Sequence, residues 1–470
     1  MCSFSLKESA TQNLRKSWLP TLRMSKKQNG NASWHRKQML RLGNSMQFQN
    51  EISDFAYNKL WIIVLLLVMG MLYPAMVFSQ SADSLKAKHV HPNTVPYETD
   101  RSIGYHILAA PSYLLHWVSR PVGYGVKYAE DKFPHWFEGE RGPYGFLPLI
   151  EIGGEEGFAA GALLYHDHLF FEDHRARAEI LFGSQVYNEF DLQYQIPIKG
   201  VPNSSLTFAG EYENAPERSF YLDNTSEDLS YASEFGNIQV NYNQQVNSWL
   251  HTQITTGFWD RTIKTSRYED DINEQVPVSL LGNTKLFSVA NNWTFNYKNG
   301  RKRTLSGTQY KVGVGWAQST NNPNLKYLEY RGAIHHFVPV PILPETRRLG
   351  IKMELQKQRN IGSTNIPFYE LRSLGGSRNL RGFPSNRFRA HGTVLFTAEY
   401  RYPIWDFLDI VLFADQGQPF NDYSDISLDA FRSSYGFGFH LLSQKGLAFR
   451  SEFAFSNEGG RFIISITPNF

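Results

Sequence analysis

Residues 371–403 read LRSLGGSRNLRGFPSNRFRAHGTVLFTAEYRYP, and they carry the clearest structural pattern in the chain. Two glycines, Gly375 and Gly376, precede the run Leu380-Arg381-Gly382-Phe383, and glycine lets a backbone turn where a side chain would clash. The next residues alternate in polarity, with apolar side chains on one face (Val394, Phe396, Ala398, Tyr400, Tyr402) and polar ones on the other (Thr393, Thr397, Glu399, Arg401). The pattern predicts a glycine-rich loop followed by a strand with one apolar and one charged face.

Similar alternating runs continue on both sides of this stretch. We predict sixteen strands, at residues 145–153, 157–166, 174–184, 186–196, 204–213, 231–244, 248–259, 285–298, 308–319, 326–338, 346–358, 391–403, 407–416, 432–442, 446–456 and 461–470. A soluble β-sandwich can alternate in the same way, but charges along the inner face of sixteen strands require a wet lumen. Aromatic residues make up 15% of the chain although its mean hydropathy is −0.40, which is typical of a transmembrane barrel with aromatic girdles. The prediction is an all-β fold, a 16-stranded antiparallel transmembrane β-barrel over residues 141–470.

The links between the predicted strands differ in length from one end of the barrel to the other. They are long after the fifth, seventh, eleventh and thirteenth strands and short after the sixth, twelfth and fourteenth. Long extracellular loops and short periplasmic turns are the pattern of outer-membrane barrels. The glycine-rich loop, at about 362–390, is therefore expected on the outside, as the sixth extracellular loop.

The N-terminal part of the chain has a different composition. Residues 1–58 are polar and basic, and we interpret them as a disordered leader or as sequence upstream of the true translation start. Residues 59–80 contain an apolar run that ends near Pro74, Ala75 and Ser79, which predicts a cleaved signal peptide. Residues 81–140 are expected to form a periplasmic lead-in with short helices, broken at Pro111 and Pro121.

Three ordered motifs resemble the BamA/TamA family of outer-membrane barrels, also described as the bacterial surface antigen family. In that family the sixth loop folds into the lumen and carries a (V/L)RG(F/Y) tip, matched here by Leu380, Arg381, Gly382 and Phe383. A Glu-x-Arg-x-Pro strand is matched by Glu399, Arg401 and Pro403, and a Phe-x-Asp-x-Gly strand by Phe413, Asp415 and Gly417. Many members carry periplasmic POTRA domains. The 60 residues of 81–140 are too few for one and show little strand pattern, so such domains are expected to be absent.

The resemblance and the alternation together indicate a candidate site. The resemblance implies that Arg381 pairs with acids of the inner wall, including Asp415. Alternation places Asp415 and Glu399 toward the lumen, and a bidentate pair between an arginine and a carboxylate would fix the loop tip. We expect Glu399, Arg401 and Asp415 to be lumen partners of the loop, and Arg450 and Glu452 to be further lumen charges. The alternative is a solvated Arg381 and an Asp415 that caps a turn. The last residue, Phe470, resembles the terminal signal by which barrels are recognised for insertion.

Other function classes lack support in the sequence. No Gly-x-Ser-x-Gly, His-Glu-x-x-His or Walker motif is present, so the chain is not expected to be an enzyme. The single cysteine is Cys2, and we expect no metal or other cofactor; His166, His168 and His174 are interpreted as an exposed periplasmic turn. Residues 1–80 carry ten basic and three acidic residues, so the remainder has a net charge of −4 against +3 for the whole chain. This balance argues against nucleic-acid binding.

The resemblance implies that the protein inserts or translocates a polypeptide or lipid at the bacterial outer membrane. The first and last strands would form a seam, and Gly153, Gly154, Gly157 and Pro468 are expected to weaken its pairing. Expected partners are outer-membrane lipid, a client outer-membrane protein or lipid, and the barrel assembly machinery for its own insertion. Two alternatives remain: a diffusion pore gated by the sixth loop, and a structural barrel of a surface complex.

Overall fold

A computed structural model describes residue 128 and residues 143–154, 157–221, 228–266, 277, 280–299, 306–339, 348–403, 408–442 and 447–468. The strands are β1 Tyr144–Gly154, β2 Gly157–His166, β3 Arg175–Gly183, β4 Asn188–Pro197, β5 Ser204–Tyr221, β6 Asp228–Gln245, β7 Leu250–Lys264, β8 Gly282–Asn299, β9 Ser306–Ser319, β10 Lys326–Pro339, β11 Arg348–Asn360, β12 Arg372–Leu374, β13 Phe388–Ala390, β14 Gly392–Pro403, β15 Leu408–Phe420, β16 Arg432–Leu442, β17 Leu447–Ser456 and β18 Gly459–Pro468. Short 3₁₀ helices lie at Ser184–Val186, Phe368–Glu370, Tyr423–Asp425 and Leu428–Ala430.

Sixteen of these strands form one closed antiparallel barrel. Each pairs with its sequence neighbour, β11 pairs with β14, and β1 pairs with β18 to close the ring. The strands β12 and β13 form a separate two-stranded sheet inside the β11–β14 loop. The predicted 16-stranded barrel is thus confirmed, and the small sheet in the loop was missed because three-residue strands carry too little alternation to be recognised.

The two faces of the wall differ as the alternation predicts. Large apolar side chains are exposed on the outside, among them Phe146, Leu164, Phe182, Leu192, Ile238, Val312, Tyr435 and Phe437. The inner face is largely polar, and on β6 five successive inward positions are carboxamides (Asn237, Gln239, Asn241, Asn243, Gln245). These side chains help to line a cavity of about 750 Å³. A lipid-facing outside and a wet inside are the distribution expected for a barrel in a membrane.

Strand lengths vary around the barrel. The strands β5, β6 and β8 each have 18 residues, whereas β1 to β4 and β16 to β18 have 9 to 11. The predicted fifth strand, 204–213, was too short, because β5 continues to Tyr221 past a bulge between Ala215 and Arg218. The alternation stops at Ala215 and Pro216, which are buried in succession, and the pairing with β6 continues beyond them. Because the strands are shortest there, the barrel wall is shortest along its axis beside the junction of β1 and β18.

Several sequence-based expectations fall outside the described residues. These are the leader 1–58, the signal peptide 59–80, nearly all of the lead-in 81–140 and the terminal Phe470. No helix among the described residues is long and apolar enough to cross a membrane. The three histidines lie at the β2–β3 turn as expected, where His174 Nδ1 is 2.7 Å from the Tyr194 hydroxyl. The described residues contain no cluster of histidine, cysteine and carboxylate side chains that could hold a metal ion.

Candidate functional site: the loop tip and the barrel seam

The loop between β11 and β14 is held at its base by buried aromatic residues. Phe368 and Tyr369 pack against Leu229 and Tyr231 of β6 and Ile263 of β7. The Tyr369 hydroxyl lies 2.5 Å from Thr284 Oγ1, and Arg261 Nη1 donates to the Tyr369 carbonyl at 3.1 Å. This base fixes the direction in which the rest of the loop enters the barrel.

The tip is a compact turn with its own hydrogen bonds. Gly375 and Gly376 have φ values of 108° and 103°, which side chains rarely adopt. The Gly376 N–H donates to the Phe383 carbonyl at 3.0 Å, and the Phe383 N–H donates to the Leu380 carbonyl at 3.1 Å. Leu380 and Phe383 are fully buried in one cluster with Leu374, Phe388 and Leu395. Both apolar residues of the motif therefore hold the tip against the wall, and Arg381 lies between them.

Arg381 is the centre of a buried charge cluster. Its Nε and Nη2 donate to Asp415 Oδ2 and Oδ1, both at 2.9 Å. Its Nη1 donates to Glu452 Oε1 at 2.9 Å and to Glu399 Oε2 at 3.4 Å. The guanidinium carbon also lies 3.4 Å from the centre of the Phe413 ring. One cation of the loop thus contacts carboxylates from three strands, β14, β15 and β17.

Burial and charge have opposite effects on Arg381. Burial disfavours its charged form, but the hydrogen bond and charge of Asp415, together with Glu452 and Glu399, outweigh that cost and raise the pKa of Arg381. The guanidinium therefore stays charged at any physiological pH. A buried arginine that keeps its charge is a permanent electrostatic link between loop and wall.

A second layer of charges surrounds these acids. Arg401 Nε donates to Glu399 Oε1 at 2.6 Å, and His440 Nε2 lies 2.8 Å from Glu452 Oε1. Arg450 Nε is 3.8 Å from Glu452 Oε2. Cations and carboxylates alternate through the cluster, so the acids that bind Arg381 are themselves held in place. This arrangement fixes the position of the β11–β14 loop.

Glycines of the loop tip and of the wall make room for this cluster. A Cβ on Gly382 would lie 2.7 Å from the Phe455 carbonyl oxygen and 2.7 Å from Ser434 Cβ, so only glycine lets the tip approach β16 and β17 this closely. A Cβ on Gly436 would lie 2.4 Å from the Phe413 ring, which covers β16 at that point. The wall is therefore shaped for the ring on which Arg381 stacks.

The structure brings most of the predicted site residues together. Leu380, Arg381, Gly382 and Phe383 lie inside the barrel, and Asp415, Glu399 and Glu452 surround Arg381. Arg401 and Arg450 contact the acids and belong to the outer layer of the cluster. Glu452 was expected to be a lumen charge, and its contact with Arg381 was not predicted. The alternation predicts on which face of the barrel wall a residue lies. It does not predict the position of that residue along the barrel axis relative to the loop.

The junction that closes the barrel is short. The strands β1 and β18 pair at three positions, Ile150–Ile466, Glu151–Ser465 and Ile152–Ile464. By contrast, β17 and β18 pair continuously from Leu447–Pro468 to Ser456–Gly459. We call the β1–β18 junction the seam. Since opposed pairs in an antiparallel ladder are hydrogen-bonded at every second position, the short seam is held by far fewer hydrogen bonds than the neighbouring pair.

Comparison with known families agrees with this geometry. The model of the Omp85 superfamily domain matches residues 172–462. The chain belongs to the Omp85 superfamily. It is a bacterial outer-membrane barrel of BamA/TamA type, as the motifs predicted. No curated protein matched the chain in a comparison of sequences.

Solved structures of BamA and CdiB match the fold to different degrees. The BamA structure from Haemophilus ducreyi that lacks POTRA domains 1–3 matches with a TM-score of 0.54 at 15% identity and covers 70% of each chain. CdiB from Acinetobacter baumannii has a TM-score of 0.49 at 9% identity, with 69% of this chain and 60% of CdiB covered. CdiB from Escherichia coli has a TM-score of 0.49 at 11% identity, with 70% and 63% covered. At such identities the BamA likeness concerns the fold.

Proposed function

We propose that this Omp85 barrel inserts a client, a polypeptide or lipid, into the outer membrane through the seam. The family implies insertion or translocation at the outer membrane, and the seam is the element that would carry it. The observation that supports this role is the three-position ladder between β1 and β18, beside neighbours that pair along their whole length. An edge strand with unpaired N–H and C=O groups is a template for another strand. A client strand would therefore pair with β1 or β18 once the seam parts.

Crosslinking in cells tests the seam directly. A photo-reactive side chain at Ile150 or Ile466 would lie at the outer face of the seam, since these paired residues share the face of the exposed Phe146 and Phe462. We expect adducts with newly made outer-membrane proteins or with lipid-linked clients. The matched control is Val314, an exposed apolar residue of β9 on the far wall, which should label ordinary lipid alone. Equal adducts from all three positions, or adducts between β1 and β18 alone, would contradict an exit at the seam.

The pore alternative has one observation in its favour. Residues of β3 to β10 line the cavity of about 750 Å³, whereas the loop tip is bonded to β14, β15 and β17. If the barrel were a gated pore, deletion of residues 365–390 should raise its single-channel conductance sharply. For a seam-based inserter we expect this deletion to change the crosslinking yield from Ile150 and Ile466, because the loop tip contacts both sides of the seam. Conductance in planar bilayers, measured with the crosslinking yield, separates the two functions.

A further inference from the structure

Arg461 of β18 connects three separate parts of the chain. Its Nη2 donates to the carbonyl oxygen of Gly153, at the outer end of β1, at 2.6 Å. Its Nη1 donates to the carbonyl oxygen of Phe383, in the loop tip. One guanidinium on the last strand thus holds both the first strand and the loop.

This contact begins where the seam ladder ends. The last paired position on the outer side is Ile152–Ile464, and the next residue of β1, Gly153, has a φ of 77°. The pairing of β1 with β2 also shifts register between Ile152 and Gly154. Because the strand turns at this point, the Gly153 carbonyl is aimed at a side chain. Arg461 therefore extends the seam by one hydrogen bond beyond the backbone ladder.

Further contacts hold the loop tip to both sides of the seam. On the β1 side, Ser377 Oγ donates to Glu151 Oε1 at 3.2 Å. On the other side, Ser456 Oγ of β17 donates to the Gly382 carbonyl at 2.8 Å, and Arg387 Nε pairs with Glu458 Oε2 at 2.9 Å in the β17–β18 turn. The tip therefore crosses the seam and is bonded to each edge.

We propose that Arg461 couples the seam to the loop, so that the outer end of the seam opens when the tip leaves its seat. This inference rests on the proposed function, since it describes how that exit is regulated. Arg461 is a positioning residue: with the tip seated, its two hydrogen bonds keep β1, β18 and the loop in register. Displacement of the tip removes the Phe383 acceptor and the Ser377 bond together. The three ladder positions and the Arg461–Gly153 hydrogen bond, which has then lost its second anchor, are left to hold the seam. Coupling of this kind is reciprocal, so a locked seam must also hold the loop more firmly.

Reciprocity gives a test on the purified full-length barrel, without any client. In a Cys2→Ser background, the pair Ile152→Cys and Ile464→Cys locks the seam by a disulfide between paired residues. The readout is the rate of trypsin cleavage after Arg378, which is exposed in the loop tip. We expect oxidation to slow cleavage on the order of tenfold and reduction to reverse it. In Arg461→Met, which keeps the side-chain length and cannot donate, oxidation should leave the rate unchanged.

Three controls complete the experiment. The pair Ser451→Cys and Ile464→Cys locks β17 to β18 and should not affect the loop. Arg331→Met removes an arginine from the far wall and should retain the coupling. If Arg461→Met does not fold, Ser377→Ala removes the tie to β1 and should reduce the protection. The proposal is overturned if oxidation protects the loop equally in Arg461→Met, or in Ser377→Ala where that variant replaces it. Failure of the client crosslinking alone would overturn the proposed function and leave this coupling intact.

Discussion

Replacing Arg381 with alanine is expected to release the loop tip and to lower the free energy of unfolding by about 3–5 kcal/mol. The change leaves the Asp415, Glu452 and Glu399 carboxylates close together without their shared cation, and the first two are almost completely buried. It also removes the stacking on Phe413. Urea unfolding of the barrel in detergent, followed by tryptophan fluorescence, measures the loss. Faster trypsin cleavage within residues 365–390 should accompany it.

Two variants separate this effect from a general loss of positive charge. Arg450→Ala removes a cation from the same lumen, but Arg450 is 3.8 Å from Glu452 and its side chain is 23% exposed. Its loss should cost less than about 1 kcal/mol. Arg381→Lys retains the charge and loses the bidentate geometry, so its stability should lie between those of the wild type and Arg381→Ala. If Arg450→Ala and Arg381→Ala cost the same, the loop is not held by its arginine.

Replacing Gly382 with valine is expected to displace the tip as completely as the loss of Arg381. Even the first carbon of the side chain would lie 2.7 Å from the Phe455 carbonyl oxygen, and this oxygen belongs to the wall of the barrel. Because the backbone of β17 cannot move aside without breaking its ladder, the tip must withdraw and take Arg381 with it. The expected readouts are a lower free energy of unfolding and faster trypsin cleavage of the loop.

A glycine with open space around it provides the matched control. Gly332 of β10 has nothing within 4 Å of the position of a Cβ, so Gly332→Ala should be nearly neutral. The double variant Arg381→Ala with Gly382→Val gives a stricter test. Both changes release the same tip, so together they should cost about as much as either one alone, well short of the sum. Additive costs would mean that the two residues hold the barrel in separate ways.

The barrel architecture could be predicted from the sequence because apolar and polar residues alternate along a strand wherever one face meets lipid and the other meets water. The same rule places Glu399, Asp415 and Glu452 on the inner face. It cannot show that all three lie at the same level along the barrel axis, since the register between β14, β15 and β17 depends on hydrogen bonds across the ladder. It also fails at the outer part of β5, where Ala215 and Pro216 are buried in succession and the chain still pairs as far as Tyr221.

The contacts of the seam were beyond sequence analysis for a related reason. Gly153 was expected to weaken the pairing of the first strand, and the structure has the ladder ending at Ile152. The replacement of the next ladder bond by Arg461 depends on two segments more than 300 residues apart. Serine and arginine side chains such as Ser377 and Arg387 carry no local pattern that names a partner. Such contacts can be identified only once the three-dimensional position of the loop is known.

The separation of β1 from β18 along the chain also bears on how the barrel folds. Arg381 meets its acids at sequence separations of 18 to 71 residues, whereas closure joins Ile150 to Ile466. The entropic cost of closing a chain segment grows with its length, so the C-terminal strands and their loop should assemble early and the ring should close last. Until that moment the nascent chain exposes the free edges of β1 and β18. Those are the edges to which a client would add its strands, so an unfinished copy of this barrel would itself be open to pairing with a foreign strand.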